Sequence, residues 1–370
     1  MKKALQHLLD SFVQSGAVPG VCASVTLNGC EPVYAAAGWA DAEGLQPMNE
    51  DTQLRVYSLT KPVIACAVMQ LTERGRISLN DPVAAYLPSF THQTVCQADG
   101  TTAPARPCTL LHLLQMTSGI VPYYRDDSPS VSALRNRIDA ATLQGSPFST
   151  EQLADEIAGI PLRFQPGEGF LYGMSYEVLA AIIEKVVGIR LSTYLHQAIF
   201  EPLRMSRTAF FSSCPGKRAD ILKRSNGVLT TAPEARYQPV LQLPSIEWGG
   251  DGLYSSLRDY TQFANALAFG SPILSTASLR RMIQPEPLKL CRESFDEIPI
   301  LHSFSYGLGV RVAEDGGQAG EFGWYGHAGN WFMCHAEKRV SAVLLAQYLP
   351  SPHTALIPPF RDFVYQAIQT

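Results

Sequence analysis

The chain is predicted to fold as an α/β sheet domain joined to an all-α domain. Two apolar runs near the N-terminus and three near the C-terminus read as strands, while residues from about 108 to 240 carry mainly the apolar period of helices. Strands at both ends with helices between them imply one antiparallel sheet built from both termini, flanked by helices, with a mainly helical insertion. At 370 residues the chain is long enough for about two domains and a sizeable core. The expected boundaries are 1–85 with 285–370 for the discontinuous sheet domain and 86–284 for the helical domain, with the site in the cleft between them.

Each element has its own signal. Met1 to Asp10 begins with the charge of a signal peptide, but Gln6, His7 and Asp10 interrupt the apolar core, so it reads as an amphipathic helix. Val21–Leu27 and Pro32–Ala37 are expected strands, joined around the hairpin turn Asn28-Gly29. Next comes Val56-Tyr57-Ser58-Leu59-Thr60-Lys61-Pro62, leading into an apolar run from Val63 to Leu71. Pro62 suits the first turn of a helix, where its missing N–H costs nothing. A helix apolar on nearly every side should be buried. Asn80-Asp81-Pro82 reads as the cap of a short helix, and 91–108 as a polar loop. Helices are expected at Leu110–Met116, Thr150–Ile160, Tyr176–Val187 and Ser192–Ile199, and Ser256–Phe269 is amphipathic. Strands at Tyr306–Val312, Trp331–Ala336 and Val340–Gln347 precede a closing helix from about Pro359 to Ile368.

Bulk properties narrow the function. A net charge of −4 with no basic run argues against nucleic acid or an anionic membrane as partner. No stretch approaches the length that spans a bilayer. The eight cysteines are scattered without a Cys-x-x-Cys pair, which suits reduced thiols in a cytoplasmic protein. Neither His-Glu-x-x-His nor a Cys/His ligand spacing is present, so no metal or other cofactor is expected. Gly-x-Ser-x-Gly is also missing, which removes one common route to an esterase.

Chemistry concentrates at Ser58 and Lys61. Three apart at a helix start, they share one face, hydroxyl beside amine. A serine hydroxyl is a weak nucleophile until a neighbour takes its proton, and an amine can do so where burial makes its charged form costly. The same spacing would also fit a helix cap followed by a surface lysine. Yet it is the only Ser-x-x-Lys in the chain, and it opens a buried helix.

A second stretch, Phe164-Gln165-Pro166-Gly167-Glu168-Gly169-Phe170-Leu171-Tyr172-Gly173-Met174-Ser175-Tyr176, brings the pattern together. With Leu113-Leu114-Gln115-Met116-Thr117-Ser118-Gly119 and Gly249-Gly250-Asp251-Gly252-Leu253-Tyr254-Ser255, the chain resembles the class C β-lactamase-like superfamily, and most the family VIII carboxylesterases. The resemblance covers nearly the whole length. It implies that Tyr172 acts with Lys61 to take the Ser58 proton as Oγ attacks a carbonyl, and returns a proton to the leaving group. Met174 stands where lactamases carry an asparagine whose amide holds the acylamino carbonyl of a penicillin. A thioether does this poorly, which shifts the expectation from β-lactams to esters.

The third motif of the resemblance has two possible registers in Phe322-Gly323-Trp324-Tyr325-Gly326-His327-Ala328-Gly329-Asn330-Trp331-Phe332. Trp324-x-Gly326 resembles the esterases and His327-x-Gly329 the D-peptidases. The next N–H, of His327 or Asn330, would join that of Ser58 in an oxyanion hole. Tyr123, Tyr124, Met174, Trp248 and Trp331 are the expected substrate-pocket residues. The implied enzyme is a serine hydrolase passing through acyl-Ser58, a carboxylesterase on small short-to-medium-chain esters. A D-amino-acid peptidase or amidase, a β-lactamase-type hydrolase and an acyltransferase share that intermediate, and a non-catalytic binding protein on the same fold is the remaining alternative.

Overall fold

The computed structural model describes residues 1–124, 126–143, 148–214, 216–233, 240–270, 272–285, 301, 304–314 and 318–369. Its centre is a seven-stranded antiparallel sheet built from β1 (Gly20–Leu27), β2 (Val33–Gly38), β3 (Phe304–Tyr306), β4 (Arg311–Ala313), β5 (Phe322–Gly326), β6 (Asn330–His335) and β7 (Val340–Ala346). The order is β2-β1-β7-β6-β5-β4-β3, so the N-terminal hairpin joins the C-terminal strands through β1 and β7, with Val21 opposite Ala346 and Leu27 opposite Val340. Asn28 and Gly29 both take the left-handed conformation that a tight hairpin between right-twisted strands requires.

Alternation along the strands builds two apolar layers. Val21, Ala23, Val25, Met333, Ala342 and Leu344 point to the outer face. There they meet Leu5, Leu9 and Phe12 of α1 (Lys2–Gln14) and Leu356, Phe360 and Val364 of α5 (His353–Gln369). Cys22, Phe332, Cys334, Val343 and Leu345 point inward, towards the main core. This side holds α2 (Thr60–Glu73), α3 (Ser175–Val187) and α4 (Leu257–Phe269). A Ser24–Thr261 hydroxyl pair at 2.7 Å ties β1 to α4.

Every residue of α2 from Thr60 to Leu71 is buried. Val63, Ile64, Val68, Met69 and Leu71 each gain about 1.5–3 kcal/mol from that burial, an upper estimate. The β-branched members cost only about 0.5 kcal/mol each in helix propensity. Burial therefore decides the local structure.

Two expectations need correction, and one helix was not expected. Tyr306–Val312 is not one strand: Gly307 donates to the Val310 carbonyl at 2.9 Å and Gly309 is left-handed, so the chain reverses between β3 and β4. The closing helix starts at His353 and carries Pro358 and Pro359 inside it, so those prolines do not mark its beginning. A helix at Pro129–Leu143, lacking a strong amphipathic pattern, was not anticipated. The cysteines of the described residues are all free, and Cys291 lies outside them. Among the described residues no helix is long and apolar enough to cross a membrane.

Candidate active site

Ser58 lies in a single 3-10 turn, Tyr57–Leu59, that runs directly into α2. Tyr57 before it has φ +49°, a strained conformation for a residue with a Cβ. Neighbouring segments hold the turn in place. The Thr60 hydroxyl donates to the Tyr57 carbonyl at 2.6 Å and accepts the Leu253 N–H at 3.1 Å. The Tyr260 hydroxyl donates to the Leu59 carbonyl at 2.8 Å. From the sheet, Asn330 and Gln347 both donate side-chain amides to the Arg55 carbonyl, at 3.1 and 2.8 Å.

Lys61 is 5 % exposed, and its Nζ donates to Ser58 Oγ at 3.2 Å and to the Gly250 carbonyl at 2.7 Å. The ammonium also stands 4.5 Å from the centroid of the Tyr172 ring. An ammonium withdrawn from water needs such partners, because its desolvation costs several kcal/mol. Glu177 of α3, itself buried, faces the same amine and accepts the Gly250 N–H at 3.1 Å. Burial pushes the Glu177 carboxyl up to about 7, with the Lys61 charge pulling the other way.

Tyr172 meets the sheet through Trp324, whose indole N–H donates to the phenol oxygen at 3.0 Å. Trp324, on β5, is enclosed by the rings of Tyr172, Tyr306 and Tyr325 at centroid separations of 5.5, 5.1 and 5.1 Å. Gly326 ends that strand against the Ser58 segment. A Cβ there would stand 2.4 Å from the Val56 carbonyl, so only glycine lets the strand approach. His327, Ala328 and Gly329 form the following turn, with Ala328 at φ +66°. The His327 ring meets Tyr57 edge-on at 5.2 Å, and its Nδ1 lies 3.1 Å from Ser351 Oγ. Trp324 and Gly326 thus stand on the strand beside Ser58, while Ala328 and Gly329 lie beyond its end.

The pocket residues divide. Tyr123 stacks edge-on against both Tyr124 and Trp248, at 4.8 and 5.2 Å, and burial pushes its phenol up to about 12. Trp248 leads into the Gly249-Gly250 segment, whose Gly250 carbonyl accepts Lys61 Nζ. Met174 is 2 % exposed, immediately before α3, with its N–H donated to Val121. Trp331 needs correction as a pocket residue. It stands on the outer face of β6, 1 % exposed, against Phe360 of α5 at 5.8 Å and the Arg311 guanidinium at 5.4 Å. Alternation along the strand turns it away from the face that carries Trp324 and Phe332.

Gly250 and Glu177 were not singled out by sequence reasoning. The signals were available: a Gly-Gly pair beside a tryptophan, and an acidic residue on an otherwise apolar helix face. Among the described residues no group of three His, Cys, Asp or Glu side chains is placed to hold a metal ion.

A serine hydroxyl met by a buried lysine amine, with a tyrosine ring against that amine, is the kind of site that serves acyl transfer through serine. The profile of the Beta-lactamase family matches residues 5–365, and the chain belongs to this family of serine hydrolases. Esterase EstB of Burkholderia gladioli is 30% identical over 278 residues, covering 71% of this chain and 69% of that protein. Acyltransferase calJ of Penicillium decumbens is 29% identical over 356 residues, covering 88% and 83%. Among solved structures, EstCE1, described as a hydrolase with promiscuous acyltransferase activity, superposes with a TM-score of 0.82 at 23% identity, covering 98% of each chain. That likeness shares the mixed fold with its large antiparallel sheet.

Proposed function

We propose that this protein is a carboxylesterase acting on small esters with short-to-medium acyl chains, through an acyl-Ser58 intermediate. The observation that carries the reading is the 3.2 Å contact between Ser58 Oγ and the buried Lys61 Nζ. With Lys61 as the cation that stabilises its phenolate, Tyr172 takes the Ser58 proton as Oγ attacks the ester carbonyl. The N–H groups of Ser58 and His327 stabilise the resulting oxyanion, with Trp324-x-Gly326 as the motif that sets His327 in place. Tyr172 returns the proton to the departing alcohol, and water then attacks acyl-Ser58. Tyr123, Tyr124 and Trp248 form an apolar wall for the substrate.

Two features support esters over β-lactams or D-peptides. Met174 offers no amide to an acylamino carbonyl. The third motif carries tryptophan in place of a lysine that would pair with a substrate carboxylate. The acyltransferase relative supports a second reading, in which an alcohol replaces water as acceptor.

A p-nitrophenyl ester panel of graded acyl length, run on the wild type, Ser58→Ala and Tyr172→Phe, tests the proposal. We expect turnover of short and medium chains, none with Ser58→Ala, and a loss of at least a hundredfold with Tyr172→Phe. Added alcohol, followed by analysis of ester against acid product, separates transfer from hydrolysis. Turnover retained by Ser58→Ala would overturn the assignment.

A further inference from the structure

Glu177 takes no part in the steps just described, although it is buried beside them. Its Oε1 accepts the Gly250 N–H at 3.1 Å, and the carbonyl of the same Gly250 accepts Lys61 Nζ at 2.7 Å. The approach is close: a Cβ on residue 250 would stand 2.3 Å from Glu177 Oε1, so carboxylate and backbone are in direct contact. The charged groups facing this carboxyl are few. Lys61 comes from α2, and Asp251 from the loop after Gly250, drawn aside by Arg55 at 3.9 Å. Lys61 is thus the cation opposite Glu177, and the glycine joins them. A helix-face acid serving only the fold would need neither relation to the amine.

We propose that Glu177 is a positioning residue for Lys61: through Gly250 it fixes the carbonyl that aims Nζ at Ser58 Oγ, and it provides the buried negative charge opposite the amine. This rests on the serine-hydrolase reading of Ser58, Lys61 and Tyr172. Burial raises the carboxyl to about 7, so its negative charge is present above that pH and disappears below it. Turnover should fall on the acidic side of neutrality for that reason.

The test measures kcat and KM for p-nitrophenyl butyrate from pH 5 to 9 on the full chain, with folding checked by near-ultraviolet circular dichroism. Glu177→Gln is expected to lower kcat ten- to a hundredfold with KM changed less than threefold, and to lose the inflection near pH 7. Glu177→Asp, which keeps the charge on a shorter arm, should recover part of both. Where Glu177→Gln does not fold, Gly250→Ala takes its place, since the new methyl displaces the carboxylate; the same loss in kcat is expected. A folded Glu177→Gln or Gly250→Ala protein with kcat within threefold of wild type and an unchanged pH profile overturns the proposal. Ser58→Ala run alongside separates the two failures: turnover surviving there overturns the parent reading itself.

Discussion

The indole N–H of Trp324 donates to the hydroxyl of Tyr172 at 3.0 Å, joining two residues 152 apart in the chain. Trp324→Phe keeps an aromatic ring in the stack but removes this donor. A hydrogen bond of about 1–1.5 kcal/mol corresponds to roughly tenfold in rate. We expect kcat for a p-nitrophenyl ester to fall about tenfold with KM little changed. An unaltered kcat would show that the contact does not bear on the reacting phenol.

Gly326→Ala would drive a methyl group into the Val56 carbonyl and displace β5 from the Ser58 turn. The expected cost in stability is about 1–3 kcal/mol, as for other overpacked sites. The expected loss in kcat/KM is larger, a hundredfold or more, because the His327 N–H, the proposed oxyanion donor, moves with the strand. Fluorophosphonate titration of reactive Ser58 corrects for any unfolded fraction. Wild-type turnover per titrated site would refute the prediction.

Trp331→Ala removes an indole from the outer layer, where it packs on Phe360 and Arg311. Urea denaturation should report a loss of about 3–5 kcal/mol. The protein that remains folded should keep kcat/KM within threefold, since the side chain faces away from Ser58. A selective loss of turnover without a loss of stability would contradict its placement.

Glu321 is fully buried between Arg311 and Arg361, with contacts of 2.8 Å to each, and accepts the Tyr365 hydroxyl at 2.8 Å. Burial would raise this carboxyl, but the two guanidinium groups outweigh it and hold it below its ordinary value. A carboxyl depressed by folding stabilises the fold above its ordinary range, near 4.3. That contribution is lost as pH falls through the folded value. Glu321→Gln leaves the buried Arg311 and the half-buried Arg361 short of a counter-charge and should cost about 3–5 kcal/mol at pH 7. The gap from wild type should narrow below pH 4, as followed by urea melts across pH. A gap independent of pH would show that the charge is not what matters.

The large features were legible because burial writes them into sequence. The continuous apolar run after Lys61, the short apolar runs of the strands at both ends and the Asn28-Gly29 turn each follow from one local rule. The meeting of Ser58, Lys61 and Tyr172 in space was legible because each stands in a recognisable stretch. Trp331 was misread because a Trp-Phe pair does not say which of the two faces the core beneath the site; only the register of β6 against β7 does. Gly250 and Glu177 stayed hidden for a related reason. Their connection to Lys61 is made in space, by one N–H and one carbonyl of a glycine 189 residues further along.

That distance along the chain bears on biosynthesis. A ribosome-bound chain that has just released α2 already carries Ser58 and Lys61, but the carbonyl that orients the amine emerges much later. Trp324 follows later still, and β1 meets its neighbour β7 only once Ala346 has appeared. Until those segments have emerged, the Ser58–Lys61 pair lacks the groups that orient it, and newly acquired hydrolase activity would time the closure of the sheet.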